Sequence, residues 1–261
     1  MGEPSMTTPC IVAIEHEAMC PPGHLGAWLS EAGAEVEVCR PYVGDALPDL
    51  AAYDALVVLG GTMGADDDAA YWWLPPLKHL VRDAADTGVP TLGICLGHQL
   101  VAVALGGGVE VNPRGQQVGV LPVGWLPAAA QDRVFGRPHG LRGIQWNNDI
   151  VSELPDGAVL LAATPDDEVQ VVRFADSVWG VQLHPEADEQ IVAAWADGDR
   201  EAHLARGLDQ TALIGSIADA RAELDAAWRP MAEHFTQLAR ERMDRRQTGD
   251  GSARTGDGSA G

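Results

Sequence analysis

Basic side chains are scarce. The 261-residue chain has 17 lysines and arginines against 38 aspartates and glutamates, a formal net charge of -21. Five of the basic residues (Arg240, Arg242, Arg245, Arg246 and Arg254) fall in residues 240–261 beside four acids, so the stretch before them carries 12 basic and 34 acidic residues. Such a surface repels phosphate backbones and argues against a nucleic-acid role; its plainest use is solubility. Long apolar runs are also missing, which excludes a membrane-spanning helix. The opening MGEPSMTTPC lacks the basic region and apolar core of a secretory signal. There are only four cysteines, Cys10, Cys20, Cys39 and Cys95, with no C-x-x-C pair. That spacing argues against a zinc knot or a disulfide framework and fits reduced thiols in a cytoplasmic protein. His16, His24, His79, His139, His203 and His234 share no metal-ligand spacing, and VNPRGQQ lacks the lysine and glycine spacing of a phosphate loop. No cofactor and no metal are expected.

What the chain does have is strand-length apolar runs separated by helical patterns. CIVAIE (10–15), ALVVLGG (55–61) and VPTLGI (89–94) have the uninterrupted apolar composition of buried parallel strands. GHLGAWLSEAGA (23–34) puts Leu25, Trp28 and Leu29 at helical spacing. WLPPLKHLVRDAADTG (73–88) does the same with Leu77, Leu80 and Val81, and Gly88 is placed to cap it. Alternation of strand and helix predicts an α/β fold with a mostly parallel sheet covered on both faces. QQVGVLPVGWL (116–126), AVLLAAT (158–164), VQVVRF (169–174) and VWGVQLH (178–184) predict an antiparallel or mixed addition to that same sheet. Residues 188–243 have helical periods and complete a single domain over 9–243. Residues 1–8 are expected to be a flexible start. The polar, repetitive 244–261 is expected to be a disordered tail.

Within this frame Cys95 stands out. Gly93 and Gly97 flank it at minus two and plus two, the spacing of a nucleophile elbow in which a strand turns sharply into a helix. A buried thiol is the plain alternative, but the helix that follows, LGHQLVAVAL, would put Cys95 at its N-terminus, where thiolate is favoured. A thiolate attacking an amide also needs oxyanion donors, a base, and a group to orient that base. The LGGTMG loop (59–64) ends the neighbouring strand, so the Gly61 N–H can share a target with the Leu96 N–H. In GVQLHPE (180–186), Pro185 holds His184 extended, and His184 and Glu186 then project to the same side. Cys95, His184 and Glu186 make a Cys–His–Glu constellation.

GGTMG (60–64), GICLGHQ (93–99) and GVQLHPE (180–186), in this order, resemble the class I, triad-type glutamine amidotransferases, and within them free-standing domains similar to the glutaminase half of GMP synthase. The resemblance covers about residues 9–200. It implies a flavodoxin-like open sheet and hydrolysis of the glutamine γ-amide through a γ-glutamyl thioester on Cys95. It further implies His184 as acid and base, Glu186 as its orienter, Gly61 and Leu96 as the oxyanion hole, and Gln99 as a substrate-binding residue. His98 matches the motif without an assigned role. An ammonia-consuming synthase would be a separate partner, because the roughly sixty residues after 200 cannot build one. Two residues depart from the pattern. Related members tend to have histidine at Asn147 and glutamate at Gln117; Asn147 cannot carry a proton and Gln117 cannot carry charge. These departures keep a γ-glutamyl peptide or amide hydrolase with the same triad as an alternative; a non-catalytic module on this fold is another. The acidic, aromatic ADDDAAYWW (65–73) reads as a solvated loop, with a lid or docking surface as the sharper alternative.

Overall fold

The structure is a computed structural model that describes residues 8–136 and 141–249. The expected flexible start up to residue 7, His139, and the expected tail from residue 250 lie outside the described residues. The three apolar runs form β1 (Cys10–Ile14), β3 (Ala55–Val58) and β4 (Thr91–Ile94), parallel neighbours at the centre of a seven-stranded sheet. The sheet order is β2-β1-β3-β4-β11-β10-β9. β2 (Glu35–Cys39) is a parallel edge strand whose EVEVC alternates by face, because only one side of it meets the core. β11 (Val178–Val181) pairs parallel with β4, while β10 (Val169–Ala175) and β9 (Val159–Ala163) add on antiparallel.

The central strands are apolar on both faces because both faces are covered. On one side Ile11, Val57 and Leu92 pack with Leu25, Trp28 and Leu29 of α1 (Gly23–Glu31) and with Trp228 and Phe235 of α6 (Gln210–Gln247). On the other, Val12, Leu56 and Val58 meet Leu77 and Val81 of α2 (Leu74–Thr87) and Leu100 of α3 (Leu96–Ala104). Gly88 caps α2 at φ 68°, as its position predicts.

The sequence reading needs two corrections. The 116–126 run does not join the sheet. β6 (Gln117–Pro122) pairs instead with β7 (Arg142–Asn147), and a second ribbon joins β5 (Gly108–Val111) to β8 (Asp149–Glu153). Gly124, at φ 71°, turns the chain, and only Trp125 then bridges to Ala162 of β9. The helical stretch is divided: α4 (Glu189–Gly198) and α5 (Arg200–Ala205) precede α6, with breaks at Asp199 and around Gly207. Finally, α6 runs to Gln247, so residues 244–247, expected in the tail, are helical. The side chain of Arg246 explains why, donating to the Asp54 carboxylate and the Tyr53 carbonyl and fixing that end to the sheet.

The β4–α3 junction is tightly built. A Cβ on Gly93 would lie 2.5 Å from the Gly97 carbonyl oxygen, and one on Gly97 would overlap the Val58 carbonyl. Both obstacles are backbone, which cannot swing aside. Gly97→Ala is therefore expected to cost about 3 kcal/mol or more, read as a lowered urea midpoint at unchanged slope; a loss under about 1 kcal/mol would mean that α3 simply shifts outward.

Candidate active site

Cys95 follows the last residue of β4 and precedes the first turn of α3. Its backbone sits at φ 50°, ψ -107°, a conformation an L-residue adopts only under strain, at about 1–3 kcal/mol. Its N–H is held by the Val181 carbonyl at 2.9 Å, and the residue is buried. This is the elbow that the two glycines foretell.

His184 comes three residues after β11, with its N–H on the Ile144 carbonyl at 2.8 Å. Its Nδ1 is 2.6 Å from Glu186 Oε1, both residues being fully enclosed. Gly60 keeps the space between imidazole and thiol open: a Cβ there would lie 3.3 Å from His184 Cε1 and 3.7 Å from Cys95 Cβ. His184 Nε2 has no hydrogen-bond partner among the described residues. Burial alone would push this imidazole down, but the Glu186 carboxylate and the Cys95 sulfur beside it hold it well above the usual histidine value. The structure thus brings together Cys95, from the β4–α3 junction, and His184 and Glu186, from the segment after β11.

Gly61 and Leu96 are also neighbours, since a Cβ on Gly61 would meet Leu96 Cδ2 at 2.9 Å. Neither N–H donates to another described group, so both remain available to a substrate oxygen. Gln99 lines the cavity beside Cys95, but its amide nitrogen is already committed, donating to the Asp149 carbonyl at 2.9 Å and to Gln182 Oε1 at 3.2 Å. Gln182 in turn donates to Cys95 Sγ at 3.6 Å. The sequence reading missed Gln182. The signal was there, because it lies two residues before His184 and the same period-two argument that aligns His184 with Glu186 aligns Gln182 with both.

The cavity has a volume of about 330 Å³, within the range of small-molecule sites. Beyond Cys95 and His184 its far wall is Trp146, Asn147, Asp149, Trp195 and Asp199. The two departures noted in the sequence touch each other: Asn147 Nδ2 donates to Gln117 Oε1 at 3.2 Å, and Gln117 donates to Glu168. The Asn147 amide nitrogen also reaches the Asp149 carbonyl at 3.1 Å, while its Oδ1 has no partner among the described residues. In the 65–73 loop, Lys78 pins the Ala65 carbonyl at 2.8 Å and Asp68 at 2.7 Å, and Asp67 holds the Gly64 N–H at 2.7 Å.

Two other histidines are buried without a charged partner. His98 packs against Phe174, with ring centroids 5.2 Å apart, and His16 accepts from Trp73 Nε1 at 3.0 Å. Burial lowers them to about 3 and about 4 respectively. Both are neutral in the native protein and protonate on unfolding below pH 6.5. Stability is therefore expected to fall as pH drops from about 6.5 toward 4, by up to about 2.7 kcal/mol per pH unit for the two together. His98→Gln should flatten that slope by about half in urea titrations; an unchanged slope would locate the acid sensitivity elsewhere.

Among the described residues no group of three or more His, Cys, Asp or Glu side chains is placed to hold a metal ion, and no helix is long and apolar enough to cross a membrane.

The profile of the family described as glutamine amidotransferase class-I matches residues 25–191. A glutamine amidotransferase-like protein of Salmonella typhimurium is 31% identical over 180 residues, covering 66% of this chain and 74% of its own. Gamma-glutamyl peptidase 4 of Arabidopsis thaliana is 33% identical over 147 residues, 55% of this chain and 58% of its own. A glutamine-hydrolyzing GMP synthase subunit of Saccharolobus solfataricus is 32% identical over 158 residues, 59% of this chain and 77% of its own. Among solved structures, a glutamine amidotransferase of Thermotoga maritima has a TM-score of 0.79 at 24% identity, covering 88% of this chain and 99% of its own. One from Methylobacillus flagellatus has a TM-score of 0.74 at 27% identity, covering 90% and 96%.

Proposed function

This chain belongs to the class-I glutamine amidotransferase family, and from that premise we propose that it hydrolyses the γ-amide of glutamine by a Cys95–His184–Glu186 triad. One observation carries the reading: a cysteine held at φ 50° on an elbow faces the same cavity as a histidine whose Nδ1 is fixed by a buried carboxylate and whose Nε2 is unpartnered.

The chemistry follows from the geometry. The proton of Cys95 passes to His184 Nε2, and the sulfur attacks the γ-carbonyl carbon. Charge on the sulfur is favoured by the N-terminus of α3 and by the Gln182 amide. The carbonyl oxygen, now negative, takes the N–H groups of Gly61 and Leu96. The C–N bond breaks as His184 returns its proton to the nitrogen, and ammonia leaves. Water, deprotonated by the same Nε2, then splits the γ-glutamyl thioester to glutamate and restores the thiol. Glu186 keeps the proton on Nδ1, so that Nε2 is the atom that accepts. Gln99 keeps Gln182 oriented and places its own oxygen at the cavity. No metal or cofactor enters any step. A separate synthase would receive the ammonia, as the likeness to a GMP synthase subunit supports.

A second reading keeps the triad and changes the leaving amine, making the chain a γ-glutamyl amide or peptide hydrolase. The indole-walled space beyond His184 and the likeness to a γ-glutamyl peptidase favour it. A non-catalytic module would have no use for a strained cysteine beside a carboxylate-held histidine. The test is glutamate release, measured in parallel from glutamine and from a γ-glutamyl dipeptide, with ammonia counted in the first. Turnover of either supports the hydrolase. Turnover of neither, with Cys95 insensitive to protection by glutamine, overturns it.

A further inference from the structure

The amine that departs leaves its mark on the cavity. Resting on the hydrolase reading and deepening its second form, we propose that the preferred substrate is the γ-glutamyl amide of a diamine, whose second, free ammonium docks on Asp199 beside the Trp146 indole.

The leaving nitrogen has to stand beside His184, which gives it its proton. The Trp195 ring packs on His184 with centroids 4.6 Å apart, and the Trp146 ring lies 6.2 Å from Trp195. Asp199 lines the same corner. Its Oδ2 takes the Trp146 indole N–H at 2.9 Å and the Gln116 amide at 2.8 Å, and no described group donates to Oδ1. His203 Nε2 stands 3.9 Å from that same Oδ2 and is already committed to Gln116 Oε1 at 3.0 Å. A carboxylate fixed at the N–H edge of Trp146, with one oxygen left open beside the cavity, is an acceptor suited to an ammonium. No lysine or arginine lines the cavity among the described residues to balance that charge.

The acyl side has a second place for a cation. Asn147 is 4% exposed, lines the cavity, and has an unpartnered Oδ1, an acceptor awaiting a donor. Asp149 lies beside it with no hydrogen bond or ion pair to its carboxylate among the described residues, and burial and the nearby Asp67 raise its carboxyl above the usual value. This side adjoins Gln99, one helical turn past the nucleophile, and suits the α-ammonium of the glutamyl group. Glutamine has one ammonium; a γ-glutamyl diamine has two. The dipeptide alternative fares worse, since its amine half ends in a carboxylate that Asp199 repels.

The reaction balances as before. The C–S bond forms, the C–N bond to one end of the diamine breaks, His184 supplies the proton to that nitrogen, and water completes the release of glutamate.

The experiment compares γ-glutamyl-1,5-diaminopentane with γ-glutamyl-n-pentylamide, the same amide without the terminal amine, and with γ-glutamyl-alanine. The diamine conjugate is expected to exceed the pentylamide in kcat/KM by about tenfold or more, with γ-glutamyl-alanine the poorest. Asp199→Asn should bring the first ratio to within about twofold. A wild-type ratio near one, with both amides turned over, overturns the proposal and leaves the hydrolase reading standing; so does a ratio that survives Asp199→Asn. If none of the three turns over, the substituted-amide form of the hydrolase reading fails, while glutamine turnover, measured alongside, decides the glutaminase form separately. The dissociation constants of the two amides for Cys95→Ala protein, measured by calorimetry, then decide the cation site: a tenfold preference upholds it and equal values overturn it.

Discussion

Cys95→Ala and Cys95→Gly are both expected to lower glutamate release by about 10³-fold or more, and glycine is expected to leave the protein the more stable of the two. The first effect follows from the proposal that this sulfur bonds to the substrate. Without it the cavity, the imidazole and the oxyanion donors remain, and they give only the small residual rate of a binding site. The second follows from the backbone. At φ 50°, ψ -107° an alanine Cβ is strained in a way that glycine is not. Removing that strain should give Cys95→Gly an advantage of about 1 kcal/mol over Cys95→Ala, measured by urea midpoints. Glycine is ordinarily the destabilising choice of the two, so the reversed order is diagnostic. If alanine is the more stable, the elbow is not strained in solution. If either variant retains more than about a tenth of wild-type turnover, the nucleophile is a different group.

Glu186→Gln is expected to lower kcat by about 10³–10⁴-fold with little change in KM. Glutamine is nearly isosteric, so the cavity persists, yet its amide can donate to Nδ1 and leave the proton on Nε2, the wrong tautomer for accepting from Cys95. Loss of the carboxylate also lets burial prevail, so the imidazole drops toward the value desolvation dictates. Stability should register this with a definite sign. In the wild type His184 titrates higher in the folded protein than in the unfolded chain. The resulting stabilisation is fully present below about pH 6.5 and is lost as pH rises through the raised value. The margin of wild type over Glu186→Gln should therefore shrink between pH 6 and the alkaline range. A margin that grows with pH would mean the histidine is neutral in the resting protein, and full activity in the variant would remove Glu186 from the mechanism.

The parts of this architecture that were legible in the sequence are those where local chemistry admits one solution. Gly93-Ile94-Cys95-Leu96-Gly97 could be read because a turn so tight tolerates only glycine on either side, and the overlap with the Val58 backbone is that requirement seen directly. His184 and Glu186 could be read because proline fixes the residue before it. The two ribbons could not. β6 and β7 have strand-like sequences, and whether such a pair joins the main sheet depends on a single turn at Gly124 and on what occupies the sheet edge. β2 was missed because EVEVC lacks the unbroken apolar run that marks its central neighbours. The extent of α6 was set by Arg246 reaching Asp54, a partner 192 positions away that no local pattern announces. Gln182 was overlooked although its spacing was visible, because glutamine carries no charge to draw the eye.

The position of β11 has a consequence for how the molecule comes into being. It lies between β4 and β10, so a chain still emerging from the ribosome can assemble β1 to β4 and form the elbow at Cys95 well before the strand that delivers His184 exists. During that interval the sheet has an open edge at β4, with unpaired backbone groups and apolar faces uncovered. The nascent half-molecule thus holds Cys95 on its elbow with no His184 beside it. The proposed triad and closure of the sheet arrive together, in the step that slots residues 178–181 into place.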